Sequence, residues 1–124
     1  MAISQSQIPL SRILGGLTAA YGAAVLVKPM VLAGPTELAP SGTPGRGVAA
    51  LSRGVGARDL ASGLAMVLAR TPEARRTAIA VRVLSDVGDV VVFGTSLPSA
   101  SARRKAAAVG VLWGGLCAAS AFTA

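Results

Sequence analysis

The chain has 124 residues, of which 52% are hydrophobic and 14% are charged, and its mean hydropathy is +0.63. A soluble domain usually carries about 25% charged residues, and a small domain has more surface per unit volume to hydrate than a large one. The composition therefore favours an integral membrane protein, with an Ala/Gly-rich soluble helical bundle as the alternative.

The sequence lacks His and has a single Cys, and this excludes several classes of chemistry. It contains no His, which excludes imidazole ligands and His-based acid–base catalysis, and we expect no metal and no cofactor. The single Cys117 cannot form an intramolecular disulfide and is expected to be a small buried hydrophobe. The net charge is +7, but the four aromatic residues are too few for base stacking, so nucleic acid is not an expected partner.

The hydropathy pattern predicts four membrane-spanning helices. The first covers about residues 8–27, close to the length of about 20 residues that crosses a hydrocarbon core about 30 Å thick. A signal peptide is the competing interpretation of this segment, and the lack of Lys or Arg before Arg12 disfavours it. Prolines then interrupt residues 28–46 repeatedly, which predicts a loop outside the membrane.

The second and third predicted spans are the charged ones. They cover about residues 47–69 and 75–97, and a polar turn separates them, in which Thr71 or Pro72 can begin the next helix. Three consecutive valines in the third span would suggest a strand in a soluble protein, but an isolated strand cannot satisfy its backbone in lipid. The charges within these two spans are Arg53, Arg58, Asp59, Arg82, Asp86 and Asp89.

A turn and a basic cluster at residues 98–105 lead to the fourth predicted span, about residues 106–122, which is uncharged. Four spans with short connections imply an up-down-up-down arrangement. The predicted fold is therefore all-α, a single integral membrane four-helix antiparallel bundle over residues 1–124. Basic residues near the span ends are expected to bind lipid headgroups. These are Arg12, Arg75, Arg76, Arg103, Arg104 and Lys105.

Small residues recur at four-residue spacing in the first and fourth spans. The first has Gly16, Ala20 and Ala24, and the fourth has Gly110 with Gly114 and Gly115 with Ala119. Helix association in lipid depends on close backbone approach at small residues, so this spacing predicts tight packing.

The six charges of the second and third spans sum to zero. Each unpaired charge costs about 2.5–3.5 kcal/mol at the centre of a bilayer, so we expect these residues to be paired or hydrated. Arg82, Asp86 and Asp89 share one helix face, whereas Arg53 and Asp59 point to different sides of theirs, which leaves the loop as an alternative partner for Arg53. Depth along antiparallel helices predicts three pairs. They are Arg53 with Asp89, Arg58 with Asp86, and Asp59 with Arg82.

A resemblance to a known family rests on these spans. Its motifs are Gly56-Ala57-Arg58-Asp59-Leu60-Ala61-Ser62-Gly63, Arg82-x-x-x-Asp86-x-x-Asp89, and Pro29-x-x-Leu-Ala after the first helix. Together they resemble an uncharacterised family of small four-helix bacterial membrane proteins, a domain of unknown function with a GARD-like motif, and are broadly similar to DoxX-type membrane proteins. The resemblance implies a four-helix integral membrane protein and implies no activity.

Three functions remain open from the sequence. A structural or accessory subunit of a larger membrane complex is favoured by the small size, the short loops and the lack of a catalytic constellation. The alternative is a dimeric small-molecule or proton-coupled transporter that uses the mid-membrane Asp/Arg pairs. A membrane enzyme acting on a lipid or quinone-like substrate is least favoured, because no nucleophile or metal set accompanies the Asp residues, so we expect no enzyme.

The expected location is the bacterial plasma membrane, which the chain crosses several times. The expected partners are the lipid bilayer and either other membrane protein subunits or further copies of this chain.

Overall fold

The computed structural model describes residues 8–122, and over this range the protein is all-α, with five helices and no strands. The helices are α1 (Leu10–Val27), α2 (Met30–Ala33), α3 (Arg46–Leu68), α4 (Pro72–Ser96) and α5 (Ala100–Ser120). The four long helices correspond to the four predicted helical segments. The short α2 lies in the proline-rich connection that was expected to be a loop.

Two side-chain caps explain where the last two helices begin. The Ala74 backbone N–H donates to Thr71 Oγ1 over 3.0 Å, and Pro72 is the first residue of α4, as its fixed φ favours. The Ala102 N–H donates to Ser99 Oγ over 3.0 Å in the same way. Because of this cap, α5 begins at Ala100, and the basic cluster expected in a turn before the helix lies in its first two turns.

The four long helices form two closely packed pairs. Helix α1 packs most extensively on α3, and α4 packs most extensively on α5. Smaller contacts between α3 and α4 and between α1 and α5 join the two pairs. Each long helix therefore contacts two others, and the short connections make helices that follow each other in the chain antiparallel.

Glycines determine how closely α1 and α3 approach. A Cβ atom built on Gly63 would lie 2.5 Å from both the Ala19 nitrogen and the Gly15 carbonyl oxygen, closer than real Cβ contacts allow. A Cβ on Gly15 would lie 2.8 Å from the Gly63 carbonyl oxygen. Backbone therefore packs against backbone at this interface, and a larger side chain at either glycine would push the helices apart.

The small residues at this interface are not the ones predicted. The expected face of α1, formed by Gly16, Ala20 and Ala24, is exposed, and a Cβ on Gly16 would meet nothing within 4 Å. In α5, Gly110 and Gly114 do face α4, because Cβ atoms there would lie 2.6 Å from Val90 and 3.1 Å from Asp86. The second small-residue pair predicted in α5, Gly115 and Ala119, is exposed.

Hydrophobic and charged side chains are distributed in the reverse of the usual way. Arg82 is only 1% exposed, whereas Leu84 and Val111 are 70% and 64% exposed. Many other large hydrophobic residues of α1, α3, α4 and α5 are also exposed. Monomeric soluble proteins rarely expose large contiguous apolar patches, whereas large hydrophobic side chains are exposed here on all four long helices.

Helix α1 is the one described helix that is long and apolar enough to cross a membrane, with a mean hydropathy of 1.5 over 18 residues. It lies near the N-terminus, and signal sequences and core helices of soluble proteins share these properties. The other three expected spans do not meet this standard, because α3 and α4 hold the charges and α5 includes the basic cluster. Hydropathy alone therefore does not establish several membrane crossings.

Two apolar clusters lie at opposite ends of the long helices. One contains Leu14, Met66, Ala78, Ile79 and Cys117, and Cys117 is fully buried, as expected of a small hydrophobe. The other contains Phe93, Leu97 and Ala102. Between these clusters the interior is polar, and the charged residues of α3 and α4 meet there.

Candidate functional site

Two helices supply the charged side chains of the interior. Arg58 and Asp59 are neighbours on α3, while Arg82, Asp86 and Asp89 follow the i, i+4, i+7 spacing of a single face of α4. Because the two helices pack against each other, these five side chains converge in one network.

Arg82 is at the centre of the network. Its Nη1 donates to Asp59 Oδ1 over 2.7 Å and to Ser62 Oγ over 2.9 Å. Its Nη2 donates to Asp86 Oδ1 over 2.9 Å, a contact between residues one turn apart on α4. A guanidinium that is 99% shielded from solvent is thus held by two carboxylates and a hydroxyl, which offsets the cost of burying its charge.

Arg58 extends the network towards Asp89. Its Nη1 and Nη2 donate to the two carboxylate oxygens of Asp89 over 2.8 and 2.7 Å, the bidentate geometry that makes Arg–carboxylate pairs strong. Its Nε and Nη2 also donate to Asp59 Oδ1 over 3.2 and 3.0 Å. Asp59 Oδ1 therefore bridges the two guanidinium groups, and all five charged residues are connected.

One of the three predicted pairs, Asp59 with Arg82, is present. The predicted pair of Arg58 with Asp86 is wrong: Arg58 reaches Asp89, one turn further along α4, while Asp86 is held by Arg82 of its own helix. Depth along the helix cannot distinguish positions one turn apart, since an Arg side chain spans that distance.

The predicted pair of Arg53 with Asp89 is also wrong. Arg53 is exposed, and its Nε donates to the backbone carbonyl oxygen of Leu26 in the last turn of α1 over 3.4 Å. Arg53 lies five residues before Arg58, which places it on a different side of α3 from the network. Its partner is therefore neither an Asp nor the loop.

Without Arg53 the network is not neutral. Three carboxylates and two guanidinium groups give the network a formal charge of −1. Two buried atoms of the network also lack a hydrogen-bond partner among the described residues, namely Asp86 Oδ2 and Arg82 Nε. The Asp86 side chain is 8% exposed, so this carboxylate oxygen is shielded from solvent.

A cavity of about 480 Å³ adjoins the network between the helices. Asp59, Arg82, Asp86 and Asp89 form its polar side, and apolar residues from all five helices form most of the remaining wall. Three of the four aromatic residues of the chain, Tyr21, Phe93 and Trp113, also line it. The Trp113 Nε1–H donates to Thr18 Oγ1 over 2.8 Å, which joins α5 to α1 at the cavity wall.

The residues expected to bind headgroups all lie in the first turns of helices. Arg12 is in the first turn of α1, and the remaining five are in the first two turns of α4 and α5. The Nη1 of Arg103 donates to the Leu97 carbonyl oxygen over 2.8 Å, while Arg12, Arg76, Arg104 and Lys105 are exposed. None of the six contributes to the charged network.

Within residues 8–122, no group of three His, Cys, Asp or Glu side chains is arranged to hold a metal ion. The three Asp residues of the network are instead directed towards guanidinium groups. The site therefore offers charged and hydrogen-bonding groups to a ligand.

Sequence reasoning missed Ser62 and the aromatic lining of the cavity. Ser62 lies three residues after Asp59 on the same face of α3, so helical spacing could have assigned it to the network. Tyr21, Phe93 and Trp113 come from three different helices, and no local pattern brings them together.

The chain matches no protein-family model, no curated protein sequence and no solved structure. The resemblance to four-helix bacterial membrane proteins therefore depends on its motif residues alone.

Proposed function

We propose that this protein is a multi-pass membrane protein whose four long helices cross the bacterial plasma membrane as an antiparallel bundle, and that it transports a small molecule through the cavity beside the charged network. The observation that carries the proposal is a network of five charged side chains beside an interior cavity, in a bundle that exposes many large apolar side chains on its outer surface.

The exposed apolar surface supports the membrane location. The exposed fractions are 70% for Leu84, 59% for Val91 and 64% for Val111. Contact of these apolar side chains with water is unfavourable, whereas contact with lipid tails has no such cost. The long helices have 18 to 25 residues, which at 1.5 Å per residue gives about 27–38 Å. Helices α3, α4 and α5 are thus longer than a hydrocarbon core of about 30 Å, and α1 is about 3 Å shorter than it.

The basic residues support the same location. Cations in the first turn of a helix face the positive end of its dipole, which is electrostatically unfavourable in isolation. Anionic lipid phosphates would compensate for this, since each basic residue near such a surface contributes about 1 kcal/mol of binding. Arg12, Arg75 and Arg76 lie at one end of the bundle, and Arg103, Arg104 and Lys105 lie at the other.

The charges that lower the hydropathy of α3 and α4 are compatible with a membrane interior. Ionisable residues within membrane proteins usually pair with one another or face a cavity, and they mark functional pathways. The network does both, because its guanidinium groups are paired with carboxylates and its residues line the cavity. Helix registry alone would require no cavity, so its presence beside the network favours a binding function.

Transport can be tested with the purified full chain in liposomes under an imposed pH gradient. We expect uptake of at least one class among labelled cationic, anionic and neutral amphipathic compounds to exceed that of empty liposomes. Asp86→Asn should abolish this uptake, because Asp86 lines the cavity and contributes to its excess negative charge. Arg53→Gln is the matched control, since Arg53 lies outside the network. Uptake equal to that of empty liposomes for every class would overturn the proposal.

An accessory role in a larger membrane complex is the second candidate. The exposed small residues Gly16, Ala20 and Ala24 of α1 favour it, because they would let a further helix approach closely. Purification in a mild detergent followed by mass spectrometry distinguishes the two. A large partner in constant proportion would favour the accessory role, and the chain alone or as a dimer would favour the transporter.

A further inference from the structure

We propose that the cavity binds an amphipathic organic cation, with the positive group beside Asp86 and the apolar body against the aromatic rings. The inference deepens the proposed function by naming the class of ligand, and it depends on the cavity being a small-molecule site.

The charge of the network determines the sign of the ligand. Arg58 and Arg82 leave one of the three carboxylates uncompensated, and Asp86 Oδ2 has no hydrogen-bond donor among the described residues. The Asp86 side chain is more than nine-tenths buried and belongs to the cavity wall. A buried carboxylate oxygen without a donor is costly, so a positive group placed there is stabilised.

The aromatic rings favour the same sign. Tyr21, Phe93 and Trp113 line this cavity, although the whole chain has only four aromatic residues. The face of an aromatic ring attracts cations, most strongly for Trp and for cations removed from water. Trp113 precedes Gly114, whose Cα faces the Asp86 side chain, so the indole and this carboxylate lie at the same level of the bundle.

The remainder of the wall determines the other properties of the ligand. Apolar side chains such as Leu17, Val55 and Val109 make up most of it, so the ligand needs an apolar body. A volume of about 480 Å³ is suited to a small organic molecule and too large for a bare metal ion to fill.

Lys105 is the one basic residue of the wall outside the network. It is exposed and lies eight residues before Trp113 on α5, about 12 Å along the helix axis at 1.5 Å per residue. Its backbone therefore lies towards the other end of the cavity from Trp113. Arg82, the other cation of the wall, is already held by Asp59 and Asp86, so an anionic ligand would pair with Lys105, and Lys105→Gln would weaken the binding of an anion.

The binding test uses the purified full chain in an uncharged detergent. Trp113 is the only Trp, so its fluorescence reports occupancy of the cavity directly. Tetraphenylphosphonium and tetraphenylborate are probes of the same shape and opposite charge. We expect saturable binding of the cation at least about tenfold tighter than that of the anion. Equal binding of the two ions, or tighter binding of tetraphenylborate, would overturn the inference.

Variants then locate the positive group. Asp86→Asn should weaken binding of the phosphonium about tenfold or more, while Arg53→Gln, outside the cavity wall, should retain it. Unchanged binding by Asp86→Asn would contradict the inference. If Asp86→Asn does not elute as a single folded species, the variant Asp89→Asn is used in its place. Selective cation binding without uptake by liposomes would leave the inference standing and remove the transport proposal. Uptake of anions or neutral compounds alone would leave the transport proposal standing and remove the inference of a cationic ligand.

Discussion

Arg58 on α3 and Asp89 on α4 form a bidentate pair, in which Nη1 donates to Oδ1 over 2.8 Å and Nη2 donates to Oδ2 over 2.7 Å. This pair fixes the two charged helices side by side and in register, because a bidentate contact tolerates little displacement along the helix. The α3–α4 interface is otherwise much smaller than the interfaces of α1 with α3 and of α4 with α5. The position of one helical pair against the other therefore depends strongly on these side chains.

A double-mutant cycle measures this dependence. Arg58→Gln and Asp89→Asn should each lower the free energy of unfolding in detergent, and the double variant should lose less than the sum of the two. We expect a coupling energy of about 1–2 kcal/mol, below the value for a fully buried pair because both side chains are partly exposed. Additive losses would show that the two groups do not interact.

Removal of Arg82 should be the most damaging single change in the network. Arg82→Gln leaves the buried carboxylates of Asp59 and Asp86 without their main partner, which costs about 3–5 kcal/mol when one member of a buried pair is removed. Arg53→Gln is the matched control and should change the free energy of unfolding by less than about 1 kcal/mol, since its one contact is an exposed hydrogen bond. Similar decreases in the free energy of unfolding for the two variants would show that the buried guanidinium of Arg82 does not stabilise the fold more than the exposed one of Arg53.

The interface of α1 with α3 predicts opposite effects for two glycines. Gly63→Ala places a methyl group 2.5 Å from the backbone of α1 and should destabilise the fold by about 1–3 kcal/mol. Gly16→Ala places it where nothing lies within 4 Å and should be neutral or slightly stabilising. Thermal unfolding in detergent compares the two variants, and equal transition temperatures would contradict the close approach of these helices.

The helices could be predicted from the sequence because their boundaries are local. Thr71, Pro72 and the prolines of residues 28–46 set starts and stops through their own backbone geometry. The fourth span is predicted to begin at residue 106, after a turn at residues 98–102 and the basic cluster, whereas Ser99 caps a helix that begins at Ala100 and includes the cluster. A Ser three residues before a small residue is weak evidence for the start of a helix, because this chain contains so many small residues.

The pairing of the charges could be predicted only in part. The single face shared by Arg82, Asp86 and Asp89 follows from helical spacing, and it places the Asp59–Arg82 contact correctly. The partner of Arg58 depends on a shift of one turn between two helices, and no local spacing within either helix defines this shift. For the same reason the packed face of α1 was assigned one residue too far along, at Gly16 instead of Gly15.

The cavity could not be predicted at all from the sequence. Its wall combines residues from all five helices, and its volume depends on side chains that fail to fill the space between them. The excess negative charge also required the structure, since only the position of Arg53 shows that this cation lies outside the network.

Chemical labelling decides whether the outer face of these helices lies in lipid. Leu84 on α4 is 70% exposed in the folded chain, and Ser41 is exposed in the loop before α3. Each is replaced by Cys in separate variants, and the wild type, whose only Cys117 is fully buried, is the background control. Membrane fragments that expose both faces of the bilayer are then treated with a water-soluble maleimide that does not enter lipid. We predict rapid labelling of Ser41→Cys and no labelling of Leu84→Cys until the membrane is dissolved by detergent, whereas equal labelling of both variants before detergent is added would contradict a membrane-spanning α4.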